Sequence, residues 1–413
     1  MRMKLNKSSQ LVLVSAAGLL AAALVTACSQ ITETKTVDFV YVASSKAAGA
    51  DNFGEINIYE INSDSGKMRQ IPASPVPSGG RYPISEAVAT DFSSLFVANQ
   101  DDNTIVQFVI GTDGKLYSFN TVNTPGVFPV AIATSAANLF VVDTFQPLPT
   151  CSPSSPCSGS IAVFPLTASS ATAPTAIGSP AVNTSISAQY WPLTLASKPS
   201  DVVVPTGVTS ASSGKLVFVS AYDTTATPHT GYVFAFSVGT GGALTPIAGS
   251  PFAAGTQPSG VATDATGSYL YVPDYGSNKV LGFSNAGGVL TPLSGSPYPA
   301  GTNPSAIVVN PAYNYAFVTN STDSNVMVYS IASGVLTKLG SYAVGLQPVA
   351  IGVDPSTARY VFTANFLGNN VSGFQMQKAD GTLLLSQGTP YVSNNQPTAV
   401  AAIPHNGTGG GIQ

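Results

Sequence analysis

One pattern recurs along this chain and limits what it can fold into. A five-residue run of small, β-branched and aromatic residues appears seven times: VYVAS at 40–44, LFVAN at 95–99, LFVVD at 139–143, VFVSA at 217–221, LYVPD at 270–274, AFVTN at 316–320 and VFTAN at 361–365. Each run has the composition of a buried strand, and all but one end on Ser, Asn or Asp. A second strand-like run follows every time, at 56–61, 104–110, 161–166, 232–238, 279–283, 325–331 and 370–376. The aromatic anchors Tyr41, Phe96, Phe140, Phe218, Tyr271, Phe317 and Phe362 are spaced by 55, 44, 78, 53, 46 and 45 residues. That period fits four short strands per copy, with an insertion in the long interval. One copy cannot bury both faces of its sheet. Seven in-phase copies therefore imply an all-β ring, a seven-bladed β-propeller of four-stranded antiparallel blades, despite a length that would otherwise suggest two or three domains.

A third signal shows how the ring closes. A Pro-led apolar strand precedes six anchors, at 82–90, 128–134, 199–205, 257–264, 303–310 and 347–354, and is missing before Tyr41. Its seventh copy, QPTAVAAIP, stands at 396–404, so the two ends of the chain are expected to share one blade. The N-terminal strands then pair with the C-terminal strand, which removes the open edges of a linear sheet. The ring is read as residues 37–405, with insertions at about 144–159 and 168–198 and a flexible tail at 406–413.

Ahead of the ring, Arg2, Lys4 and Lys7 precede an uncharged apolar stretch at 11–24, the layout of a secretory signal. Val25-Thr26-Ala27-Cys28 resembles a bacterial lipobox, in which the Cys is lipidated after cleavage; an ordinary signal peptide with a chance Cys is the plainer alternative. The expectation is a signal peptide at 1–27, a lipidated Cys28 with a tether to 36, and a place in the bacterial cell envelope, on the outer membrane or the periplasmic or extracellular face. Without the three basic residues of the signal, 12 Lys and Arg face 19 Asp and Glu, and the net charge moves from −4 to −7. That balance excludes a nucleic-acid surface or a polybasic membrane patch. The membrane is therefore expected as a partner only through the Cys28 anchor.

Cys151 and Cys157 sit in a Pro/Ser loop. Outside the cytoplasm such a pair is expected as a small-loop disulfide; a metal site is the alternative, but two thiolates without a nearby His do not complete a zinc shell. No metal or cofactor is expected. Tyr190-Trp191 in the second insertion is read as packing, with a sugar contact as the alternative.

The repeat text LYVPDYGSNKVLGF at 270–283, ALTPIAGSPFAAGTQPSGVA at 243–262 and GVLTPLSGSPYPAGTNPSAI at 288–307 resembles the YVTN-type and lactonase-like seven-bladed propellers. The resemblance implies the fold over nearly all of the chain beyond the signal. It also implies one possible activity, since some members open sugar lactones or interconvert muconate lactones with His, Arg and Glu at the mouth of the central channel. Candidates for those roles are Arg81 and Glu86 at the start of the second blade and His229 in the fourth, a cation and two possible bases on one rim. A phosphorylated substrate is disfavoured by the scarcity of cations. The polar residue ending the second strand (Ser44, Asn99, Asp143, Asp274, Asn320, Asn365) is read as capping its own turn rather than as a ligand ring. Asp101-Asp102-Asn103 resembles only a fragment of a calcium loop.

Two functions stand at this point. The leading one is a lipid-anchored, monomeric propeller that binds or scaffolds an envelope protein or glycan, because its basic and His inventory is poor. The alternative is a lactonase-like hydrolase of a sugar lactone, related to 6-phosphogluconolactonases.

Overall fold

The computed structural model describes residues 36–45, 52–62, 64–152, 154–168, 170 and 173–405. The signal peptide, Cys28 with the tether up to residue 35, and the tail at 406–413 lie outside the described residues. Among those described, the strands form seven separate antiparallel sheets, the seven blades of a β-propeller. Five blades have an outermost strand broken into two short pieces, as in Leu244–Pro246 and Phe252–Ala253; the second and sixth keep it whole, as Leu116–Asn123 and Val335–Ala343.

The first blade is built from both ends of the described chain. Thr36–Ser44 lies between Glu55–Asn62 and Pro397–Pro404, and its register with the latter runs from Asp38 opposite Pro404 through Tyr41 opposite Ala401 to Ser44 opposite Pro397. One residue is skipped before that last pair. The same irregularity recurs around the ring. In every blade the Pro of the innermost strand lies opposite the residue that ends the second strand: Pro83 and Asn99, Pro129 and Asp143, Pro205 and Ala221, Pro258 and Asp274, Pro304 and Asn320, Pro348 and Asn365, Pro397 and Ser44. Proline cannot donate to a ladder, so it belongs on this innermost edge, and the bulge beside it releases the next residue from pairing.

This register corrects one expectation. The innermost strand of the fourth blade is Val203–Ser210, not 199–205, because Pro205, rather than Pro199, is the proline that meets the second strand. The long segment after 168 is likewise more than an insertion. It supplies the outer pieces of the third blade, Ala176–Ile177 and Trp191–Pro192, and Trp191 packs with Phe140, Val163 and Val217 in the core between blades three and four.

Apolar side chains from facing blades fill the ring. All seven aromatic anchors are fully buried. Truncating one such ring to alanine costs about 3–5 kcal/mol. Two anchors are tyrosines for a visible reason, since a buried hydroxyl needs a partner. Tyr41 Oη donates to the Gly114 carbonyl at 3.0 Å and Tyr271 Oη to that of Gly334 at 2.8 Å, each in the outer hairpin of the following blade. Further ties cross between blades at the released residue. Ser259 Oγ donates to Pro304 O at 2.6 Å, Ser305 Oγ to Pro348 O at 2.7 Å, and Thr398 Oγ1 to Pro83 O at 2.6 Å.

Removing residues from Gln396 onward leaves the Thr36–Ser44 edge unpaired and uncovers the core between the first, second and seventh blades. Each lost Val or Ile side chain is worth about 1.5–3 kcal/mol, and the sum reaches the ~5–15 kcal/mol of a whole domain. The expected product is unfolded or aggregated; a monomer with a cooperative melt by circular dichroism and size-exclusion chromatography would contradict closure by this strand.

Candidate active site

The recurring polar residue at the end of each second strand holds the loop that leads into the innermost strand. Asp274 is fully buried and accepts hydrogen bonds from Thr256 N (2.9 Å), Gln257 N (2.6 Å), Thr256 Oγ1 (3.1 Å) and Ser277 Oγ (2.5 Å). Asp143 accepts from Gly126 N, and Asn320 from Gly301 N. Burial pushes the Asp143 carboxyl up to about 7, against hydrogen bonds from Thr124 and Gly126 that pull it down. The loops approach so closely that a Cβ on Gly126 would lie 2.4 Å from that of Asp143, and one on Gly255 would lie 2.2 Å from Asp274 Oδ2. The expectation that these residues cap their own turn is corrected: Asp143, Asp274 and Asn320 hold backbone amides 17 to 19 positions earlier, in the loop that enters the inner strand of the same blade.

The residue before the inner proline is left-handed in five blades (Tyr82, Phe128, Asn303, Gln347, Gln396), a costly backbone state for side chains of this size. Blades four and five do without it. Where they depart from the repeat, a cavity of about 340 Å³ opens at the channel mouth. Ile84, Val130, Pro205 and Pro258 form its apolar side; Gln100, Thr206, Tyr222, Gln257, Ser259 and Tyr275 bring polar groups. The inner strands of blades four and five come close below it, with a Cβ on Gly207 placed 2.9 Å from the Gly260 Cα. Thr206 and Ser259 spend their hydroxyls on backbone carbonyls. The Gln257 carboxamide and the Tyr222 and Tyr275 hydroxyls have no protein partner among the described residues and are free for a ligand. None of the ten lining residues is charged.

The three candidates from sequence do not touch one another. Arg81 is turned into its own blade, where its backbone N and Nε both bond Asp102 at 2.7 Å and Nη2 reaches the Asp101 carbonyl. Burial works against the Asp102 carboxylate, yet the Arg81 hydrogen bonds and charge outweigh it and hold the pKa below the usual range. The acidic turn thus holds an arginine. Glu86 is aimed away from the mouth, into the seam between the first and second blades. Both of its oxygens are buried, and burial raises its pKa to about 8 against a hydrogen bond from the Ala401 backbone that lowers it. Burial thus favours its protonated form, which makes it a poor base near neutral pH. His229 does not line the cavity but packs against a residue that does. Its ring packs on Tyr222, centroids 5.3 Å apart, and its Nδ1 meets the Ala226 carbonyl at 3.0 Å. A carbonyl only accepts, so Nδ1 is the donor in this contact, and in the neutral ring the lone pair is then on Nε2. Cys151 and Cys157 are bridged, with Cα atoms 5.5 Å apart. Sequence reasoning missed Tyr222, Gln257 and Tyr275, which look like ordinary turn residues until the ring gathers them.

Comparison with known proteins agrees with this architecture. Residues 283–402 match the family described as lactonase, 7-bladed beta-propeller. A candidate 6-phosphogluconolactonase of Bacteroides fragilis superposes with a TM-score of 0.67 at 17% identity, over 90% of this chain and 99% of that one. The periplasmic gluconolactonase of Pseudomonas aeruginosa gives 0.63 at 20% identity, over 89% and 99%. At these identities the likeness is one of fold. No curated protein matches the sequence.

Replacing Asp274 with Ala orphans the two backbone amides that set Thr256 and Gln257 at the mouth, at a cost of about 2–4 kcal/mol. The expected result is a lower urea midpoint, with Arg81→Ala, which removes only a largely exposed ion pair, lowering it far less. Equal midpoints for Asp274→Ala and wild type would refute the clamp.

Proposed function

We propose that the ring hydrolyses a neutral sugar lactone at the channel mouth, with His229 as the general base. The observation that carries this reading is the cavity itself, uncharged and apolar on one side, with unpaired Tyr222, Gln257 and Tyr275 groups on the other. A lactone ring offers an apolar face, hydroxyls and a carbonyl, and it carries no charge that would need a cation. In the proposed step His229 Nε2 takes a proton from water as its oxygen attacks the carbonyl, and the Gln257 amide or a tyrosine hydroxyl donates to the developing oxyanion. Collapse breaks the bond to the ring oxygen, which leaves as the alcohol after taking the proton back. The family match and the named structural relatives support a lactonase over a purely scaffolding propeller. The same groups would also suit a binding module for an envelope glycan, and the absence of turnover would select that role.

The test is hydrolysis of glucono-δ-lactone by the purified protein, followed by acid release. Acceleration over buffer is expected, with kcat about 10²–10⁴-fold lower in His229→Gln and KM little changed. Wild-type kcat in that variant would remove His229 as the base, and no acceleration by the wild type would remove the hydrolase reading.

With this activity we place the protein on the cell envelope through a lipid on Cys28. Cys28→Ala is expected to move it from the detergent phase to the soluble fraction without loss of the fold. A mutant still found in the detergent phase would contradict the anchor.

A further inference from the structure

Two carboxyl groups that take no part in the proposed reaction flank the closing blade. On one side Glu86, from the innermost strand of blade two, buries both oxygens against the first blade. The groups facing it are Tyr41, whose hydroxyl is already given to Gly114, and the backbone of Ala401 on the closing strand, whose hydrogen bond favours the ionised carboxylate but is outweighed by burial. On the other side Asp38, opposite Pro404 in the same blade, is wholly inaccessible. Its Oδ1 accepts from Ser356 Oγ in the blade-seven turn, and its Oδ2 is unpartnered. Its nearest ionisable neighbour is Asp354, also fully buried and committed as an acceptor to Thr357, Arg359 N and Tyr360 N. His405 stands next to Pro404, with its ring 5.2 Å from that of Phe39. No Lys or Arg forms an ion pair with either carboxyl among the described residues. An isolated charge at such a position is expensive, so each group keeps its proton while the blades stay packed.

We propose that the closing blade is a pH-operated seam: with Glu86 and Asp38 protonated it is clasped to blades two and seven, and when they ionise the strands at 36–44 and 397–404 loosen. The sign follows from linkage. Burial raises Asp38 from 3.8 to about 7, with Asp354 adding to the rise, and Glu86 from 4.5 to about 8. The folded ring therefore holds two protons that the unfolded chain has released over most of that interval. Their stabilisation is complete below the unfolded pKa values and is lost as pH rises through the folded ones. The effect is local because both groups border one blade. That blade is also the one place where the ring is joined by strand pairing between chain ends rather than by a continuous chain. Asp143 has a similar raised pKa, but it sits inside blade three and is tied by Gly126 N, so it offers no comparable seam.

Hydrogen exchange read by mass spectrometry on the full chain tests this at pH 5.5 and 8.5, with each peptide's rate divided by its intrinsic rate. Protection of the strands at 36–44 and 397–404 is expected to fall by at least about tenfold at the higher pH, while the blade-six strand at 315–320 keeps its protection. Glu86→Gln with Asp38→Asn, which cannot ionise, should show the same protection at both values. Glu86→Gln alone should recover part of it, and serves if the double variant does not fold. Unchanged protection of the two closing strands at pH 8.5, an equal loss in blade six, or a loss that persists in the neutral variants would each overturn the proposal.

Discussion

Everything in this ring rests on one antiparallel pairing, that of Thr36–Ser44 with Pro397–Pro404. Inside the other blades, apart from the insertions of the third, neighbouring strands are joined by short turns and the entropy of bringing them together is small. Here the partners lie at opposite ends of the described chain, with Ser45 bonded to Gln396 across 351 positions. Pairing of this kind carries the largest closure entropy in the fold, because the loop it closes is the whole ring. Without it, the cores that bind the first blade to its two neighbours, around Tyr41 and Val97 on one side and Val40 and Phe362 on the other, have no lid. The same blade carries the two buried acids, so the weakest topological point and the most pH-sensitive packing coincide.

The regularity of the other blades explains where a ligand site arises. Each inner proline sits opposite the end of the second strand, each bulge frees the following residue, and in three blades a Ser or Thr at that place ties the next blade. Ile84 and Val130 occupy the same place in blades two and three, where they make no such tie and line the cavity. Between them and blade five the mouth is left open. The site thus comes from a departure in a few repeat positions and requires no added domain.

The architecture was legible from sequence because its determinants are local and repeated. Seven aromatic anchors, seven following strands and the displaced seventh Pro-led segment define blade number and closure, and the paired cysteines in their Pro/Ser loop define the disulfide. The fourth inner strand was displaced by a few residues because two prolines, Pro199 and Pro205, compete for the motif, and only cross-strand register distinguishes them. Site chemistry was less readable. Arg81 and Asp102 are 21 positions apart, and nothing in their types announces that they pair. Glu86 lies on a strand whose alternating faces meet different blades, and a period of two does not say which face meets the channel. Residues from Ile84 to Tyr275 become neighbours at the mouth only through the curvature of the ring.

The central functional claim is that the uncharged mouth between blades two and five receives a neutral sugar lactone. Its most direct test is a crystal structure with a non-hydrolysable lactam analogue of gluconolactone soaked to saturation. Density between Ile84 and Val130 on one side and Gln257 and Tyr275 on the other, with the ligand carbonyl within hydrogen-bond reach of Gln257 or Tyr222, is the expected result. An empty mouth at saturation, or a ligand bound at another face of the ring, would contradict it.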